Sequence, residues 1–170
     1  MYYYIYRNNI NDSDIEHLKN YTKLYICNNK LNHNLINILK NITDLVINDM
    51  ENIINVSNNI KYIEFGATYI NKFPEILQLL PYGIETLVIN GGNLIEINLN
   101  NLPKSIKKIN IYLDNIETKI LINVLYPNLK SINIYDGNIE NKDEINKYFN
   151  NNNIEVNYKL LKKYESIVII

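Results

Sequence analysis

The feature that most constrains this chain is a spacing. Apolar residues at relative positions 1, 4, 6 and 11 recur about every 22 residues along its 170 residues. Tyr21, Leu24, Ile26 and Leu31 set the frame, and Ile42, Leu45 and Ile47 repeat it. Ile60, Ile63, Phe65 and Ile70 follow, then Ile84, Leu87, Ile89 and Leu94. Ile106, Ile109, Ile111 and Ile116 come next, then Leu129, Ile132, Ile134 and Ile139, and finally Ile154, Val156 and Leu161. The chain opens in the same frame with Tyr3, Ile5 and Ile10. With position 4 as marker, the steps are 21, 21, 18, 24, 22, 23 and 22 residues, near the range of stacked-repeat proteins.

Composition does not produce this pattern. Over the last seven units the four frame positions give 28 sites, of which 26 are apolar, the exceptions being Asn52 and Asn151. An apolar fraction of 46% would supply about 13. Within each unit positions 4 and 6 bracket a polar or aromatic residue, as in Lys108-Ile-Asn-Ile-Tyr112, which is the period of a half-buried strand. Four buried side chains cannot offset the backbone entropy of ordering some 22 residues, so a lone unit does not fold. Stacked units share faces and ladder hydrogen bonds, and so they can. The whole chain, 1–170, is therefore expected to be one repeat domain with a parallel sheet of about eight strands.

Between the strands lie return segments. Ser13-Asp-Ile-Glu16 has the form of a capping box opening a short helix. Pro74 suits a first helical position ahead of Ile76, Leu77, Leu79 and Leu80, and Pro81 ends that run. Glu117 to Leu125 and Lys142 to Phe149 also read as helices, Asn150 to Asn153 as a turn, and shorter returns such as Glu51 to Asn59 as irregular. The stretch 164–170 fits the frame once more and is expected to be a final strand that caps the array.

The frame resembles that of the leucine-rich-repeat superfamily over the length of the chain. Two units, Leu80-Pro-Tyr-Gly-Ile-Glu-Thr-Leu-Val-Ile89 and Leu102-Pro-Lys-Ser-Ile-Lys-Lys-Ile-Asn-Ile111, resemble the Leu-Pro-led repeats of the FNIP type, found in amoebal and large-DNA-virus proteins. The resemblance implies an α/β solenoid shaped as a horseshoe or arc, its parallel sheet concave and its short helical or irregular returns convex. It also implies a non-catalytic scaffold that binds a partner protein. The ninth frame position, usually Asn in that superfamily, here runs Asn8, Asn29, Met50, Thr68, Gly92, Asp114, Gly137 and Lys159. The usual ladder of Asn side chains is broken, so the turns must satisfy their backbone groups by other means.

Charge and cysteine content narrow the function classes. The net charge is −1 with Lys and Arg dispersed, unlike the clustered basic footprint of a nucleic-acid binder. No run reaches the ~18 apolar residues of a membrane span, and Met1 to Arg7 lacks the form of a signal peptide. A single cysteine, Cys27, forms no intrachain disulfide, which fits a reducing intracellular compartment, the cytoplasm of a host cell if the source is viral. The 34 Asn and 32 Ile are what an AT-rich genome supplies. Cys27, His17 and His33 fall on different sides of the coil and do not converge as metal ligands. Asp12, Asp14 and Glu16 suit a helix start. No cofactor and no catalytic group is expected.

Residues flanking positions 4 and 6 should point away from the core. Seven of these 24 are Tyr, against about two from composition. Tyr is rigid, amphipathic and common at interfaces. The expected partner-binding surface has Tyr2, Tyr4, Tyr6, Tyr25 and Tyr62 at one end, with Tyr112 and Tyr135 stacked beside Asn90, Asn110 and Asn133 further along. The alternatives are an unused sheet face of ordinary strand residues and a self-assembling solenoid that pairs through its convex side or end strands. The chain is expected as a monomer or weak homo-oligomer.

Overall fold

The computed structural model describes residues 2–5, 16–26, 39–47, 57–66, 77–92, 94–114 and 117–160. Eleven strands follow one another: β1 (Tyr3–Ile5), β2 (Lys23–Ile26), β3 (Asp44–Ile47), β4 (Tyr62–Phe65), β5 (Thr86–Gly92), β6 (Glu96–Asn98), β7 (Lys108–Leu113), β8 (Glu117–Leu121), β9 (Ser131–Tyr135), β10 (Asn138–Ile139) and β11 (Glu155–Lys159). One α-helix described over its full length, α1 (Lys142–Asn151), and a 3₁₀ turn at Leu39–Asn41 accompany them. Eight strands form a parallel sheet in the order β1-β2-β3-β4-β5-β7-β9-β11, and β10, β8 and β6 form a second. The fold is α/β with few helices, and each strand of the large sheet lies beside the previous one in chain order.

Register follows the apolar frame. Leu24, Leu45, Ile63, Leu87, Ile109 and Ile132 are direct partners across successive strands, with Tyr3 before them. Two residues on, Ile26, Ile47, Phe65, Ile89, Ile111 and Ile134 form a second column. Every one of these, Tyr3 aside, is 0–1% exposed and belongs to one continuous core. Because side chains alternate along a strand, this register sends all the intervening residues to the opposite face.

The entries to β4, β5, β7 and β9 have the same hydrogen bonding, and those to β2 and β3 share part of it. The N–H groups of Tyr21, Ile60, Ile84, Ile106 and Leu129 each donate to the carbonyl three residues earlier, at 3.0–3.2 Å, closing a tight turn. The carbonyls of Thr22, Thr43, Lys61, Glu85 and Lys107 then each accept two successive N–H groups from the next pass. Thr43 and Asp44 donate to Thr22 at 2.7 and 3.1 Å, and Lys107 and Lys108 donate to Glu85 at 2.8 and 3.0 Å. Turns stack so closely that a Cβ on Gly83 would lie 2.2 Å from the Asn58 carbonyl oxygen. That contact is with backbone, which cannot swing away.

The broken Asn ladder is replaced by other bonds of about one pass. The buried Tyr126 hydroxyl donates to the Leu99 carbonyl and accepts the Leu102 N–H at 3.0 Å. Thr118 Oγ1 donates to the Leu94 carbonyl at 2.7 Å and Ser105 Oγ to that of Ile84 at 2.6 Å. The Asn141 side-chain amide imitates a strand: its Oδ1 accepts the Ile120 N–H at 3.1 Å and its Nδ2 donates to the Ile120 carbonyl at 2.8 Å. Buried backbone groups are thus satisfied across the stack. Of the eight ninth positions, Asn8, Asn29, Met50 and Thr68 lie outside the described residues.

Two readings of the sequence are corrected. Glu117 to Leu125 is not a helix, since Glu117–Leu121 is β8, paired in parallel with β6 and β10. Thr118 and Ile120 point inward at 0% exposure while Glu117 and Lys119 point outward, so a period of two governs the segment. The returns therefore contain strands as well as helical and irregular pieces. The helix at the other site is present, and α1 buries Ile145 and Phe149. It runs through Asn151 and ends in Asn153 at φ 56°, with the Ile154 N–H bonded to the Phe149 carbonyl at 2.9 Å and the Asn153 N–H to that of Asn150 at 3.2 Å. This is a Schellman ending, in which Asn tolerates the left-handed conformation. It consumes residues through Ile154, so Val156, not Ile154, pairs with Ile132. The expected helix starts at Ser13 and Pro74 and the capping strand 164–170 lie outside the described residues, although Glu16–Leu18 and Leu77–Gln78 are helical.

Gly83→Ala is expected to cost roughly 1–3 kcal/mol through the clash with Asn58. Tyr126→Phe is expected to cost about 1–3 kcal/mol by orphaning the buried Leu99 carbonyl and Leu102 N–H. Urea unfolding of each variant checks both, and a midpoint unchanged from the parent would contradict the stacked turns.

Candidate functional site

The face of the large sheet opposite the core is built by the same register. Its central column is Tyr4, Tyr25, Val46, Glu64, Val88, Asn110, Asn133 and Asn157, each the direct partner of the next. Val46 and Val88 are only 7% and 2% exposed, so longer side chains close over them. The face is a set of side-chain clusters, not a bare sheet.

At the β1 end, Tyr4 packs on Tyr25 with ring centroids 5.3 Å apart and on Tyr2 at 6.4 Å. Tyr4 is 53% exposed. The Lys23 ammonium sits 5.5 Å from the Tyr2 ring centroid and 3.4 Å from Asp44 Oδ2. Burial, then the Asp44 and Glu64 carboxylates, push the Tyr2 phenol above its ordinary value.

In the middle, Glu64 is held from two sides. The Tyr62 hydroxyl donates to its Oε2 at 2.6 Å and the Asn90 Nδ2 to its Oε1 at 3.0 Å. Burial and that bond to Glu64 push the Tyr62 phenol strongly upward.

Toward the β11 end two ladders run side by side. Asn133 Nδ2 donates to Asn110 Oδ1 at 2.8 Å, and Asn157 Nδ2 to Asn133 Oδ1 at 3.2 Å. Asn133 is 4% exposed and is fixed between its neighbours. Next to this ladder the Tyr112 and Tyr135 rings stack at 4.3 Å with 9° between planes. The Lys159 ammonium lies 5.6 Å from the Tyr135 centroid. Burial and the adjacent Tyr135 push Tyr112 up to about 12.

Of the ten residues expected from sequence, Tyr2, Tyr4 and Tyr25 form one cluster, and Tyr112, Tyr135, Asn110 and Asn133 another. Tyr62 joins Glu64 instead of the first cluster, and Asn90 joins Glu64 instead of the amide ladder. Tyr6 lies outside the described residues. Glu64 stood in the face by alternation, yet its role as the link between Tyr62 and Asn90 had no signal in composition. Lys159 was missed because the frame set Asn157 opposite Tyr135, whereas the observed partner of Tyr135 is Lys159.

Elsewhere, His17 is exposed in a helical turn, and Cys27 and His33 lie outside the described residues. Among the described residues, no three His, Cys, Asp or Glu are grouped to hold a metal ion, and no helix is long and apolar enough to cross a membrane. An open groove between β8 and α1 has two of its polar side chains occupied within the chain, Asn141 by Ile120 and Tyr148 by the Val124 carbonyl at 2.6 Å. Comparison with family models, curated proteins and solved structures finds no match to this chain.

The raised phenols carry a sign. Their folded values exceed the unfolded value of 10.0, so the stability they add is complete below pH 10 and is lost as pH rises through the folded values, about 12 for Tyr112. Spectrophotometric titration should therefore show a late stage, in which Tyr62 and Tyr112 ionise above the ordinary phenol value together with unfolding. A single ionisation of all 15 tyrosines near pH 10 in the folded chain would contradict the clusters.

Proposed function

We propose that this chain is a leucine-rich-repeat solenoid that binds a partner protein through the face carrying Tyr4, Glu64, Asn133 and Tyr135, without catalysis. On this reading that face is the concave side of the coil, and the protein works inside the cell as a monomer. The observation that supports it most is the cross-strand locking of the face. The stacked Tyr112–Tyr135 pair and the Asn110–Asn133–Asn157 ladder hold polar and aromatic groups in place before any partner arrives. Rigid aromatic surface of this kind loses little conformational entropy on binding. A face used only as a sheet surface has no need of such order.

A second reading, self-assembly through the returns, is favoured by Ile95, Leu125 and Tyr82, which are 74%, 58% and 85% exposed. Size-exclusion chromatography with light scattering separates the two, because the binding-module reading requires a monomer at high protein concentration.

The direct test compares the parent with a Tyr4→Ala, Tyr135→Ala double variant as immobilised bait. The variant is expected to lose about 1–3 kcal/mol, because Tyr135 is half-buried against Tyr112, and to remain folded. It is expected to lose the proteins that the parent retains. Retention unchanged in that variant, but abolished by Tyr82→Ser with Ile95→Ser, would place binding on the opposite side.

A further inference from the structure

Glu64 differs from Asp44 and Lys159 on the same face. Asp44 is paired with Lys23, and Lys159 lies against Tyr135. Glu64 accepts hydrogen bonds only from neutral donors, Tyr62 and Asn90, and no Lys or Arg among the described residues comes within ion-pair distance of it. It is half-buried at the centre of the face, with Val88 covered beside it. A half-buried carboxylate without a cation is costly to hold and is strongly attractive to one.

The two existing bonds are split, one on each oxygen. Each oxygen therefore keeps a lone pair, and a pair of carboxylate oxygens is what the planar guanidinium fork engages bidentately. The Tyr62 ring, whose hydroxyl is bonded to Glu64, adjoins the carboxylate. Aromatic faces next to a carboxylate suit guanidinium, which stacks as well as pairs. The chain already sets its own cations over two rings of this face, Lys23 over Tyr2 and Lys159 over Tyr135.

We propose that Glu64, held by Tyr62 and Asn90, is a recognition site for an arginine side chain of the partner protein. The proposal rests on the reading of this face as the binding surface and adds the chemistry of the group it takes.

The test is an NMR titration of the isotopically labelled full chain with N-acetyl-arginine methylamide, and with the citrulline and lysine counterparts. The arginine compound is expected to give saturable shifts at the Glu64 backbone amide and the Asn90 side-chain amide. Glu64→Gln should weaken that binding at least about tenfold, the loss of one charge-assisted pair. Equal shifts with citrulline would overturn the role of charge, and equal affinity for the lysine compound would overturn the bidentate assignment. If Glu64→Gln does not fold, as judged from its Asn133 side-chain resonances, the arginine and citrulline comparison on the parent decides alone. Failure here, with retention of proteins still lost in the Tyr4→Ala, Tyr135→Ala variant, removes this inference and leaves the binding face standing.

Discussion

Parallel pairing between passes of the chain about 22 residues apart is the constraint on which everything else depends. A parallel strand satisfies its backbone only through its neighbours, and here the neighbour is always the preceding or following pass. Once Leu24 is set opposite Leu45, and Leu45 opposite Ile63, the rest of each strand has no freedom. A slip by one residue would expose Ile26, Ile47 and Phe65 and bury Lys23, Asp44 and Tyr62. Two successive N–H groups converging on one carbonyl at the entries to β3, β4, β5, β7 and β9 hold the register where the chain leaves its turn.

The same register creates the outer face. Because equivalent positions meet, like residues stack: Tyr112 on Tyr135, and Asn110, Asn133 and Asn157 in a row. Stacked rings contribute about 0.5–1.5 kcal/mol beyond their area, and the buried Asn133 has both its amide oxygen and its amide nitrogen bonded within the row. Order on this face therefore follows from the core, since the pairing that buries the isoleucines also aligns the tyrosines. Glu64 interrupts the series with a charge, and its neighbours Tyr62 and Asn90 turn to it instead of continuing their own columns.

Most of the fold was legible because it is written in a period. Six of the eight strands could be placed on Leu24, Leu45, Ile63, Leu87, Ile109 and Ile132 from spacing alone. Departures arose where a local rule competed with the period. At Asn150 to Asn153 the Asn-rich stretch read as a turn, but it continues α1 and ends it in a left-handed Asn, which displaces the last strand by two residues. At Glu117 to Leu121 a return of ordinary length concealed a strand, because its partners β6 and β10 are two or three residues long and too short to announce themselves. The tyrosine face was legible as a surface, since alternation assigns sides. Its internal grouping was not, because which hydroxyl meets which carboxylate depends on side-chain reach across strands and not on sequence spacing.

A methyl NOESY spectrum of the folded chain tests the central claim most directly. The account expects an unbroken series of contacts linking Leu24 to Leu45, Leu45 to Ile63, Ile63 to Leu87, Leu87 to Ile109, Ile109 to Ile132 and Ile132 to Val156. Contacts that instead join these residues in antiparallel pairs, or a last link that falls on Ile154, would contradict the stacking on which the face and its clusters stand.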